Sequence, residues 1–225
     1  MLITPGPLSV PALHPRTARG VRIVIVDSGV HPSHPHVGTV SDGVSVDADG
    51  TLAGDFIDRL GHGTAVAAVI REKAPEAEIL IAKVFDRRLE TTAAALVAAI
   101  RWATENRAHL VNLSLGTRTP AHADLLSQAV TEARSAGARV VAAGEHEGTH
   151  WLPGTLPGVV SVRLDWSLPR DACVVATDGT GETRITASGF PRPIPGVSPE
   201  RNLKGLSFAV ANATGLLALT LQDDV

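Results

Sequence analysis

Three residues far apart in this 225-residue chain could share one piece of chemistry: Asp27, His62 and Ser207. Ser207 opens a run of small and apolar residues that reaches Leu221, broken by Asn212 and two threonines. That composition suits a helix buried on nearly every side. A serine in its first turn, just after Gly205, sits among unpaired backbone N–H groups at the positive end of the helix dipole. An oxyanion forming there meets ready donors, although an N-cap serine on a core helix shows the same local pattern. His62 lies between two glycines in Gly61-His62-Gly63-Thr64, where a second apolar helix opens and little crowds the imidazole. Asp27 follows the β-branched run Val21 to Val26, as a carboxylate would at the C-terminal end of a buried parallel strand. Alone, Asp27 could be a turn carboxylate and His62 a surface histidine. Together they supply what nucleophilic catalysis needs: a hydroxyl, a base to take its proton and a carboxylate to orient the base.

Composition bounds the class. With 44% hydrophobic residues, the chain can bury one substantial core. A net charge of −3 gives no hint of a nucleic-acid or polyanion partner. The single cysteine excludes an intramolecular disulfide framework and fits a reducing compartment. Residues 1–20 hold four prolines and no signal-peptide pattern, and the longest apolar stretch is too short and too polar to span a bilayer. The expectation is a soluble, cytoplasmic protein with a Pro-rich arm over 1–20 and one domain over 21–225.

The elements that must position the three residues alternate. Strands are expected over Val21–Val26, Glu78–Phe85, Leu110–Leu115, Arg139–Ala143 and Val159–Leu164, with shorter ones at Ala172–Ala176 and Thr183–Ala187. Helical spacing covers Thr92–Asn106 and Ala123–Ser135, the latter stopped by Gly137. Residues 41–54 read as loop with a short strand or hairpin. This order specifies an α/β fold: a mostly parallel sheet flanked by helices on both faces. His31, His34 and His36 are close together but lack a completing ligand set, so no metal is expected.

Asp-Ser-Gly after the first strand, Gly-His-Gly-Thr opening a helix, Ser-Leu-Gly after the third strand and Gly-x-Ser-x-Ala opening the last helix occur in that order. In these words the chain resembles the subtilisin-like serine proteases, the subtilases, from about Val21 to Leu221. The resemblance implies the subtilisin-like three-layer fold. It implies Ser207 as nucleophile, His62 as general base and then acid, and Asp27 as its orienter. Ser114, Leu115 and Gly116 match the edge along which the family lays an extended peptide. No cofactor is implied. The implied partner is a peptide or protein substrate, with a homodimer or a partner subunit as further options, and neither nucleic acid nor membrane.

Two departures from the family pattern matter. Where the family has an asparagine that donates to the oxyanion, this chain has Glu145, followed by His146. In subtilisin itself, loss of that donor costs roughly 2.7–4 kcal/mol. An ionised carboxylate cannot donate. A buried, protonated Glu145 could, and so could His146; alternatively, Glu145 could face out and recognise a basic group. Ala211 and Asn212 replace the usual proline and histidine, which should leave the last helix straighter. The chain has no room for the calcium loop of secreted members, and only the short arm stands where they carry a prodomain. The leading expectation is a serine endopeptidase, whose small size and missing secretion signal would suit the trimming of a peptide precursor. A ligase or macrocyclase of the same fold and a catalytically impaired peptide binder are the alternatives. Asp86, Arg87, Arg88 and Glu90 are expected along the wall of the substrate cleft.

Overall fold

The computed structural model describes residues 6–7 and 16–222. Its first half runs β1 (Gly6–Pro7), β2 (Arg22–Asp27), β3 (Asp42–Val46), β4 (Leu52–Ala53), α1 (His62–Lys73), β5 (Glu78–Lys83), α2 (Ala93–Glu105) and β6 (Leu110–Leu113). The second half runs α3 (Ala123–Ser135), β7 (Arg139–Ala143), β8 (Glu145–His146), β9 (Thr149–His150), β10 (Val160–Leu164), β11 (Cys173–Thr177), β12 (Thr183–Ala187) and α4 (Leu206–Leu221).

Ten strands form one sheet in the order β1-β11-β12-β10-β7-β6-β2-β5-β3-β4. From β12 to β3 every neighbouring pair is parallel; β1, β11 and β4 are antiparallel additions at the two edges. The pleat of β2 shows how the layers arise. Ile23 and Ile25 face a core shared with Val66 and Ile70 of α1 and Phe208 and Ala209 of α4. Val24 and Val26 face the opposite core, with Leu96 and Ile100 of α2 and Leu126 and Val130 of α3. Both faces of the strand are apolar because both are covered.

α4 is the most enclosed helix, with every residue from Phe208 to Leu216 buried. It lies against α1 at Gly215, where an added Cβ would come within 2.9 Å of Lys73 Cβ. The segment 41–54 is the antiparallel hairpin β3–β4. In the arm, Gly6 and Pro7 pair with β11, and the N–H groups of Thr17 and Ala18 donate to Gln222 Oε1 at 2.8 and 2.9 Å. Ala18 is fully buried, so the described end of the arm is packed onto the close of α4. Residues 1–5 and 8–15 of that arm lie outside the described residues. Among the described residues, no helix is long and apolar enough to cross a membrane, and no cluster of three His, Cys, Asp or Glu side chains could hold a metal ion.

Candidate active site

The C-terminal ends of β2 and β6 and the N-terminal ends of α1 and α4 meet on one rim of the sheet. Asp27 ends β2 with no exposed surface. Its Oδ1 accepts from the Ser28 N–H and faces His62 Nδ1, each at 2.7 Å. A carboxylate opposite Nδ1 fixes the proton there and leaves Nε2 as the basic nitrogen. Gly63 lets α1 come this close: a Cβ at that position would lie 2.2 Å from the Gly29 carbonyl oxygen and 3.2 Å from Asp27 Oδ1.

A second carboxylate, which sequence reasoning missed, holds the start of α1. Asp58 Oδ1 accepts from Ser28 Oγ and from the N–H groups of Leu60 and Gly61, and Oδ2 accepts from the N–H and hydroxyl of Thr64. Ser28 Oγ in turn accepts from the Gly63 N–H at 2.8 Å. The clue was present in the spacing: an aspartate four residues before His62 is placed to serve unpaired N–H groups of the helix. Burial opposes ionisation of Asp58, but the bonds from Thr64, Leu60 and Gly61 outweigh it and hold its pKa below 3.8. Burial likewise opposes protonation of His62, yet the hydrogen bond and charge of Asp27, with the charge of Asp58, raise its pKa above 6.5.

Ser207 occupies the second position of α4, after Gly205 at φ 142°. Its hydroxyl donates to the Ser114 carbonyl oxygen at 3.0 Å, and among the described residues no hydrogen bond joins it to His62. The tie is reciprocal, since Ser114 Oγ donates to the Ser207 carbonyl at 3.1 Å. Behind it, Asn112 Nδ2 donates to Ser114 Oγ and Thr214 Oγ1 donates to Asn112 Oδ1, both at 2.9 Å. This buried chain fastens β6 to α4 directly beneath the hydroxyl. Asn112 and Thr214 were not singled out from sequence, because their contact spans 102 residues. In the next turn, Asn212 Nδ2 donates to the carbonyls of Ser188 and Phe190, tying α4 to that loop.

His62 and Ser207 line one cleft of about 350 Å³, together with Ser114, Leu115, Gly116 and Trp151. Beyond Gly116, Thr117 and Leu152 exchange backbone hydrogen bonds of 2.8 and 2.9 Å, which brace this wall of the cleft. Of the four charged residues expected on the cleft wall, Glu90 lines it. Asp86 is engaged with Lys83 Nζ at 2.8 Å and Arg59 Nη1 at 2.9 Å, and Arg87 lies beside Asp86.

Glu145 and His146 form β8, half of a tight hairpin with β9. The burial that could have kept Glu145 protonated is missing: its side chain is 36% exposed and ion-paired with Arg163. A carboxylate held this way accepts hydrogen bonds and has none to give. Glu145 and Arg163 line an adjoining cavity of about 320 Å³ rather than the cleft of Ser207. His146 is partly exposed, with Nε2 3.9 Å from Glu147 Oε1.

A family model for the peptidase S8, or subtilase, family matches residues 18–224. The chain belongs to the subtilase family. Subtilisin Savinase of Lederbergia lenta is 28% identical over 221 residues, covering 92% of this chain and 76% of that protein. An alkaline protease of Alkalihalobacillus alcalophilus is also 28% identical over 221 residues, but the match spans 53% of its length, so this subtilase corresponds to about half of that relative. Among solved structures, a cold-adapted subtilisin-like serine proteinase superposes with a TM-score of 0.69 at 22% identity, covering 92% of this chain and 77% of that one. The protease domain of PatA, as its S218A mutant, gives 0.66 at 24% identity, covering 93% and 82%. These two likenesses concern the fold. Family membership makes the subtilase a serine peptidase of subtilisin type.

Proposed function

We propose that this subtilase cleaves a peptide or protein segment bound in extended form, through an acyl-enzyme on Ser207. The observation that carries the reading is the 2.7 Å contact between Asp27 Oδ1 and His62 Nδ1, on a histidine that shares one cleft with Ser207. In the reaction, the Ser207 hydroxyl turns from the Ser114 carbonyl towards His62 Nε2 and gives up its proton as Oγ attacks the scissile carbonyl. The imidazolium, steadied by Asp27, returns that proton to the leaving amine; water then repeats the sequence to release the acid. The oxyanion is served by the backbone N–H of Ser207, which, unlike those of Phe208 and Ala209, does not donate to the Gly205 carbonyl.

Peptide-precursor trimming is a narrower form of this proposal and rests on the small size of the domain. A second reading is favoured by the Glu145–Arg163 pair, which leaves the oxyanion without a side-chain donor from that position. It is slow turnover, with an amine acceptor replacing water or with peptide binding alone.

Incubation with a fluorophosphonate, followed by intact mass and peptide mapping, tests the proposal. Wild type should label on Ser207 and S207A should not, and wild type should yield peptide products heavier by one water in total. Labelling with products lacking that water supports acyl transfer, and an unlabelled Ser207 removes the enzyme reading.

A further inference from the structure

Glu90 differs from the other carboxylate of its loop. Asp86 is held by Lys83 and Arg59, whereas the exposed Glu90 carboxylate has no hydrogen-bond or ion-pair partner among the described residues. It also stands in the cleft of His62 and Ser207. The titratable side chains lining that cleft are His62, His122 and Glu90, and Glu90 is the one carboxylate among them. Ala93, the first residue of α2, lines the cleft too. Its helix end contributes roughly half a positive charge, which offsets part of a full carboxylate charge but does not reverse it. Phe85, Leu89 and Leu96 provide apolar wall beside the carboxylate, and Leu89 is 58% exposed.

A negative charge at the end of an apolar wall suits a side chain with a long methylene stem and a cationic head. We infer that Glu90 is a specificity residue that selects lysine or arginine at one position of the bound peptide. The stem would lie on Leu89 and Leu96 and the head would pair with the Glu90 carboxylate. This inference rests on the cleft being the peptide-binding site. Because Glu90 is exposed, the preference is modest, about fivefold, as for other solvent-accessible ion pairs.

The test measures binding separately from turnover. Fluorescent peptides that differ at one position at a time, bearing lysine, norleucine or glutamate, are titrated into S207A and into S207A/E90Q by anisotropy. At one position S207A should bind lysine about fivefold more tightly than norleucine, and glutamate more weakly than either, with the differences shrinking as salt rises. In S207A/E90Q the lysine preference should vanish while norleucine affinity stays unchanged. Equal affinities in S207A at every position, or a lysine preference that survives E90Q, overturns the inference. The same peptides incubated with wild type report on proteolysis. A lysine preference in binding without cleavage keeps the role of Glu90 and removes the hydrolytic reading; cleavage without a preference does the reverse.

Discussion

Glu145 and Arg163, eighteen residues apart, form an ion pair at the position where the family has an oxyanion-donating asparagine. The pair holds a carboxylate that cannot donate to the oxyanion of the proposed reaction. Replacing Glu145 by asparagine supplies a neutral donor and removes the charge. E145N should therefore raise kcat for a peptide substrate at neutral pH by at least about tenfold, part of the 10²–10³ associated with such a donor. R163M, which leaves the carboxylate unbalanced, should lower kcat. If E145N hydrolyses no faster than wild type, Glu145 is not the brake.

In the proposed reaction His62 must be neutral to accept the Ser207 proton, and its pKa is raised because Asp27 and Asp58 outweigh the effect of burial. Activity should accordingly fall on the acid side, with a midpoint above 6.5 in kcat/KM. D58N removes one of the negative charges that favour the imidazolium, so the midpoint should move to lower pH. A full pH profile of both proteins decides this. An acid limb that D58N leaves in place would show that the Asp58 charge does not reach His62.

The buried chain Thr214–Asn112–Ser114 fixes the floor under Ser207. T214V keeps the shape of the side chain but leaves Asn112 Oδ1 without its donor. Stability should drop by about 1–3 kcal/mol, the cost of a buried polar group left unpaired. Urea unfolding measures it, and a change within about 0.5 kcal/mol would be that of an unremarkable substitution and count against the chain.

Gly215 sets the distance between α1 and α4. In G215A the new methyl would meet Lys73 Cβ at 2.9 Å and Cδ at 3.1 Å, so the helices must separate. A loss of about 1–3 kcal/mol is expected from this overpacking. Because α1 carries His62 and α4 carries Ser207, kcat should fall as well. Full stability in G215A, read by thermal unfolding, would show that the contact relaxes freely.

Much of the architecture was legible in the residue order. The apolar strand runs, the helical spacing of 92–106 and the stop at Gly137 depend on local chemistry, and so the elements emerged within a few residues of their observed bounds. Asp27, His62 and Ser207 could be singled out for the same reason: each sits at an element end, and such ends converge in a parallel sheet. The Asp58 cap lay within reach of the same logic.

What the sequence could not supply were partnerships between distant residues. Whether the Ser207 hydroxyl faces His62 or the Ser114 carbonyl depends on how β6 packs against α4, not on the residues next to Ser207. Whether Glu145 is a buried acid or an ion-paired carboxylate depends on Arg163, delivered by a neighbouring strand. That Glu90 lines the cleft while Asp86 turns to Lys83 is decided by the path of one loop over the sheet. Local propensity carries no record of such choices, because each is settled by packing and charge brought together only when the chain closes on itself.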